Sequence, residues 1–207
     1  MKIVIRDSAV YSTFEEAVNG TCQKYLLNEY SIRGLLRCGP TKDSLFVTCH
    51  SEFDHLLHYM FYVMLPDEFM LSTLQNMLDH ALFDVNQVSK NGSPLIFFAA
   101  QSSTPAVVNF LLNNGARIIN GDGELVCSVN YKKNILNYAT TDNIRVIMQH
   151  LSKSTVTITD RAVLAKAHAF GFPDIIDKYI RAFPDNIETR VNVTLKDTRA
   201  CIKTTLV

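Results

Sequence analysis

Asp84 and Arg117 stand 33 residues apart, and the stretch between them holds two apolar runs of equal length. "PLIFFAA" (94–100) and "AVVNFLL" (106–112) flank a polar "QSSTP", and "NG" and "NGA" bracket the whole. Leu74 precedes Val107 by the same 33 residues. A single buried segment of an enzyme core gives no reason for such an echo. A helix, a turn and a second helix recurring at a fixed step do. No such unit buries its own apolar face, so several must stack before any is stable. No other feature constrains the fold as much.

A period of 33 built from two short helices and a turn is the pattern of the ankyrin family. "SPLIFFAA" resembles that family's T-P-L-H-x-A, with Ser93 in the Thr place. "VVNFLLNNGA" resembles its second helix through Val107, Val108, Leu111, Leu112, Gly115 and Ala116. Two looser units follow. "NILNYATTDNIRVIMQHL" offers Leu136 and Ala139, then Val146, Ile147 and Leu151. "AVLAKAHAFGFPDIIDKYI" offers Leu164 and Ala167, the turn Gly171, then Ile175, Ile176, Tyr179 and Ile180. The steps between their paired β-branched positions are 39 (Val107 to Val146) and 29 (Val146 to Ile175), so the register is irregular. The likeness is good over 84–120, fair over 121–183 and weakest over 52–83.

The resemblance implies an all-α fold: an ankyrin-type helical solenoid with an extended β-hairpin finger and an irregular N-terminal cap. Repeats are expected at about 51–86, 87–120, 121–153 and 154–183, with a cap region at 1–50 and a tail at 184–207. Small residues (Ala99, Ala100, Ala139, Ala167) let inner helices lie close, and the Val-Val and Leu-Leu positions form a stripe toward the next repeat. Gly115 supplies the positive-φ cap. The family's first-helix His is missing, since Ile96 or Phe97 holds its place, so its hydrogen bonds between units need replacement.

Outside the repeats, "KIVIRDSAVY" reads as a strand or a strand pair, and "STFEEAVNG" as a helix start capped by Ser12 or Thr13. Helical spacing returns at Tyr25–Leu36, stopped by Gly39 and Pro40, and again at Ser51–Leu65. Pro66, with Asp67 and Glu68 beside it, opens another helix.

Lys plus Arg is 20 and Asp plus Glu is 20, so no net charge steers the chain toward nucleic acid. The longest apolar run, Tyr59–Leu65, is far short of the roughly twenty residues of a membrane span. "MKIVIRD" is expected not to act as a secretory signal. Cys22, Cys38, Cys49, Cys127 and Cys201 are scattered, odd in number and free of C-x-x-C pairs, which fits free thiols in the cytoplasm. The sequons at Asn19, Asn91 and Asn192 then carry little meaning.

The step of 39 hides an insertion. "RII" and "ELVCSV" flank "NGDG", a signal for a β-hairpin with a tight turn. Where ankyrin arrays project a finger, this one is expected to be enlarged, either as a recognition finger or as a tolerated surface insertion. A calcium loop is excluded because Ile118 stands where a ligand would be needed. A phosphate loop is excluded because no third glycine or Lys-Ser/Thr follows Gly121 and Gly123.

"CHSEFDHLLH" gathers Cys49, His50, Asp54, His55 and His58. A zinc site needs four converging ligands and no second cluster is evident, so these read as polar residues on the outer face of an amphipathic helix. Cys49, His50, Asp54 and His55 are also the only material for a rival reading, a cysteine-dependent enzyme whose site lies in the N-terminal third. The run "HYMFYVML" reads as core packing, against a partner-binding or membrane-lying helix. His168 reads as a structural hydrogen-bonding residue. Thr205-Leu206-Val207 resembles a ligand for PDZ domains.

By this resemblance the chain is expected to bind another protein without catalysis, as a scaffold, adaptor or host-cell effector, with no metal, cofactor or nucleic acid. The expected contact edge comprises Ser89, Lys90 and Asn91 at one finger and Tyr131, Lys132 and Lys133 at the enlarged one. Asn137 and Tyr138 begin the inner helix beside it.

Overall fold

The computed structural model describes residues 3–5, 9–11, 16–17, 29–37, 40–41, 45, 55–62, 65–89, 92–128 and 133–182. It is mostly helical. A ribbon of β1 (Ile3–Ile5) and β2 (Ala9–Tyr11) pairs antiparallel through Val4 and Val10. Helix α1 (Glu29–Arg37) follows, with Ile32 and Leu35 in the core and the Arg33 guanidinium 5.0 Å above the Phe69 ring.

Four helices succeed one another in contact along the chain. They are α3 (Asp67–Asp79), α5 (Pro105–Asn113), α6 (Thr141–Lys153) and α8 (Pro173–Ala182), with α3 on α5, α5 on α6 and α6 on α8. Another element precedes each: α2 (Leu56–Tyr62), α4 (Leu95–Ser102), a 3-10 turn (Ile135–Asn137) and α7 (Arg161–Phe170), the first three shorter than the helix that follows and α7 equal to it. Helix α2 packs on α4, and the 3-10 turn meets α4 through the Phe97 and Tyr138 rings, 5.1 Å apart. Only Ser103 and Thr104 join α4 to α5, so the chain must double back there.

Local chemistry explains the boundaries. Pro66 precedes α3, and Asp67 and Glu68 place carboxylates against its N-terminal dipole. Pro105 opens α5 at a position where its missing N–H matters least. The same backbone cap closes α3 and α5. Leu82 N–H donates to Met77 O at 2.8 Å, and Ala116 N–H donates to Leu111 O at 2.9 Å. The left-handed residue is Gly115 (φ 91°) in the second case and Ala81 (φ 52°) in the first, where a methyl is carried at some strain.

Apolar spacing decides what lies inside. Val107, Val108, Leu111 and Leu112 are buried on α5, and Val146, Ile147 and Leu151 on α6. Tyr59, Met60 and Phe61 are fully buried, so this part of the "HYMFYVML" run packs in the core. His55 and His58, expected on a solvent face, are also buried. Helix α2 is covered by α4: the His58 ring lies 4.9 Å from that of Phe98, and His55 Nδ1 accepts the Leu57 N–H. An amphipathic pattern read on the helix alone could not see that covering helix.

The inner element of the third unit also differs from the expected helix. Between β4 (Lys133–Asn134) and the N-cap Thr140 lie five residues, room for one 3-10 turn. The insertion ahead of it has taken up the length that the second unit gives to α4.

Candidate interaction edge

The turn at 88–94 is held by backbone and by Ser89. Val88 and Pro94 form an isolated antiparallel bridge, Ser89 N–H donates to Ser93 O (2.9 Å), and Gly92 N–H donates to Ser89 O (2.8 Å). The Ser89 hydroxyl accepts Ser93 N–H at 3.2 Å, and the residue is only 4% exposed. Expected on the contact edge, Ser89 instead holds the turn from inside. Among the described residues of this turn, Val88 is exposed, at 56%. Lys90 and Asn91 lie outside the described residues.

The "NGDG" turn is built around Asn120. Its Oδ1 accepts Asp122 N–H (3.0 Å) and Glu124 N–H (2.9 Å), while its N–H donates to Glu124 O (2.8 Å). Ile119 and Leu125 bridge across it. Side-chain capping of this kind is what Asn does in tight turns. Gly123 completes the reversal at φ 83°, and a Cβ there would lie 2.9 Å from both Thr157 O and Thr159 Oγ1.

That close approach locks the turn to the next unit. Thr159 N–H donates to Gly123 O (2.9 Å), Thr159 Oγ1 donates to Asp122 O (3.0 Å), and Leu125 N–H donates to Asp160 Oδ2 (3.2 Å). Asp160 also caps α7 by accepting Ala162 N–H at 2.7 Å. One carboxylate thus ties a turn and starts a helix.

Beyond the turn the chain reverses a second time. Strand β3 (Cys127–Ser128) pairs antiparallel with β4, Cys127 against Asn134 and Ser128 against Lys133. The insertion therefore contains two reversals, a tight one at 120–123 and a second between β3 and β4, where a single hairpin with "NGDG" at its tip was expected. The physical reason is that Asn120 and Gly123 close the first reversal within four residues, leaving Cys127 and Ser128 to pair with Lys133 and Asn134. Tyr131 and Lys132 lie outside the described residues, and Lys133 is placed by its backbone in β4. Asn137 is exposed, whereas the Tyr138 ring is half-buried against Phe97.

The edge carries mixed charge among the described residues, with Arg117, Asp84, Asp122 and Glu124 all exposed. The exposed thiol of Cys127 donates to Leu125 O at 3.3 Å and is free. Partial burial raises its pKa above the ordinary 9.0, and the Asp160 and Glu124 carboxylates raise it further. A thiol held in its neutral form is a poor nucleophile.

Sequence reasoning missed the polar groups that join the units. Asn86 donates from Nδ2 to Gly115 O (3.0 Å) and accepts Arg117 N–H at Oδ1 (2.8 Å), bonding groups 29 and 31 residues away. Asn143, fully buried, donates from Nδ2 to Ala100 O (2.9 Å) and Ser103 O (2.7 Å). Lys178 Nζ donates to Leu151 O (2.7 Å), Ser152 O (2.6 Å) and Ser154 O, closing α6. Burial lowers the pKa of Lys178 below the ordinary 10.5, and Asp174 pulls it back up.

Elsewhere, a cavity of about 170 Å³ is lined by Met60, Phe61, Leu65, Asp67, Met70 and residues 102–104. Two of its hydroxyls are engaged within the fold, Ser102 with Phe98 O and Thr104 with Asp67. Of the residues raised for an enzyme, His55 is buried in the core, and Cys49, His50 and Asp54 lie outside the described residues. Among the described residues, no group of three His, Cys, Asp or Glu could hold a metal ion, and no helix is long and apolar enough to cross a membrane. No family model, curated protein or solved structure matches this chain.

Proposed function

We propose that the chain is an ankyrin-type array that binds another protein without catalysing a reaction. The observation that carries this reading is the repeated unit itself. Among the described residues a helical element followed by a second helix occurs four times, the second helices touch in succession, and Asn86 bonds Gly115 and Arg117, 29 and 31 residues on. Such arrays offer turns and inner helices as one recognition surface. Here that surface runs from Val88 through the Asn120–Glu124 turn to the loop between β3 and β4, with Asn137 beside it. Tyr131 serves as an aromatic anchor, and Lys132 and Lys133 steer a partner with an acidic face. A cytoplasmic setting fits the scattered cysteines.

The test begins with capture of a partner and mapping of its footprint by hydrogen exchange. The partner is then titrated against Tyr131→Ala/Lys132→Ala/Lys133→Ala and against Asn109→Ala/Asn113→Ala on the exposed face of α5. Loss of more than about 1 kcal/mol in the first variant alone supports the edge. Equal affinity of the first variant and wild type removes it.

A further inference from the structure

Glycine after asparagine leaves the side-chain amide open to attack by the next backbone nitrogen, because no Cβ stands in the way. Two Asn-Gly pairs fall wholly among the described residues, and the fold treats them in opposite ways. At Asn114, the Gly115 N–H donates to Leu112 O at 3.1 Å, and Asn114 Nδ2 donates to Phe110 O at 2.8 Å. Attacking group and leaving group are both engaged there.

At Asn120 neither is. Among the described residues no hydrogen bond holds the Gly121 N–H or Asn120 Nδ2, and Asn120 is exposed. Two donors converge instead on Oδ1, the Asp122 N–H at 3.0 Å and the Glu124 N–H at 2.9 Å. That oxygen becomes negative when Cγ is attacked, and fixed N–H groups aimed at it stabilise the tetrahedral intermediate.

We infer that Asn120 is a site of spontaneous deamidation through a cyclic imide. The Gly121 nitrogen loses its proton and forms a bond to Cγ of Asn120. The Cγ–Nδ2 bond breaks, and Nδ2 leaves as ammonia with that proton. Water then opens the imide at either carbonyl, leaving aspartate or isoaspartate at position 120. No oxidant, metal or enzyme is needed. A neutral tip becomes anionic beside Asp122 and Glu124, and isoaspartate threads an extra methylene into the backbone between the Ile119–Leu125 bridge and the Thr159 contact.

The experiment incubates the full chain at mildly alkaline pH and follows positions 120 and 114 by peptide mass spectrometry with isoaspartate quantitation. Gly121→Ala is the control, since a Cβ there meets nothing within 4 Å and Gly121 is outside the left-handed region. Position 120 is expected to convert several-fold faster than 114 and to yield both isomers. Gly121→Ala should slow position 120 and leave 114 unchanged, and in urea the two positions should converge. Equal rates in the folded chain, indifference to Gly121→Ala, or aspartate without isoaspartate would each overturn the inference.

Discussion

The second and third units do the same job with different material. In the second, a full helix, α4, precedes α5, and α5 is closed by its own backbone through Ala116 on Leu111. In the third, the inner element shrinks to a 3-10 turn, and the Lys178 side chain on α8 adds its donors to the closure of α6 that Ser154 begins on His150 O and Leu151 O. The inner contact shifts likewise, from helix packing to the buried amide of Asn143 on the end of α4. An insertion that shortens a helix removes apolar burial, and directed hydrogen bonds from the next element hold the junction instead. Those bonds fail more sharply than packing does, because an unpaired buried acceptor loses its whole desolvation balance.

The sharpest test makes one substitution in both places. Asn143→Asp turns a donor into a carboxylate facing two carbonyls in a fully buried site, and is expected to cost about 4 kcal/mol. Asn86→Asp keeps the acceptor for Arg117 N–H and loses only the donor to Gly115 O, in a half-exposed place, so about 1 kcal/mol is expected. Urea denaturation of both variants compares them directly. Equal midpoints would mean that the two junctions do not differ in the way described.

Next in size is the lock between the insertion and the fourth unit. Gly123→Ala forces a Cβ against Thr157 O and Thr159 Oγ1 at a positive φ, and should cost about 2 kcal/mol. Gly121→Ala, two residues away in open space, should stay within about 0.5 kcal/mol. If both are silent in thermal unfolding, the 120–124 turn moves independently of residues 157–160.

Much of the second unit was legible because its signals are local. Pro94 and Pro105 start helices, Gly115 ends one, and the Val-Val and Leu-Leu positions name the buried face. The joining groups were not legible, for a physical reason. Asn143, Lys178 and Asp160 bond to main-chain atoms 43, 27 and 35 residues away, and main-chain groups carry no sequence signature. His55 and His58 were misplaced for a related reason, since periodicity shows a helix's polar face and not the second helix that covers it. The candidate edge divides the same way. The Asn120 turn follows from its own residues, while the burial of Ser89 depends on the hydroxyl finding Ser93 N–H inside the turn.

Lys178→Met probes the borrowed cap. Ser152 O and Ser154 O lose the Lys178 donor while Leu151 O keeps the Ser154 hydroxyl, and water can reach part of that half-exposed site, so about 1 kcal/mol is expected. Hydrogen exchange should show the gain in fraying at the last turn of α6 and none at the end of α5. Equal fraying of both helices, or of neither, would remove the contrast between the two closures.

The smallest effect is a difference in pH response between the two outer helices. Helix α5 carries no ionisable side chain, whereas α6 carries His150. Burial lowers the pKa of His150 below its ordinary 6.5, and Lys153 one turn on lowers it further. The fold therefore favours neutral imidazole, and the unfolded chain takes up the proton first. Its contribution to stability is intact above pH 6.5 and is lost as the pH falls below that value through the depressed folded pKa. Because the side chain is only partly buried, solvent screening should keep the effect well under about 1 kcal/mol. His150→Gln removes the titration while keeping a polar side chain of similar length. Denaturant midpoints measured from neutral pH downward should fall less in that variant than in wild type. Parallel curves would show that acid weakens the chain through other groups and that α6 is no more sensitive to pH than α5.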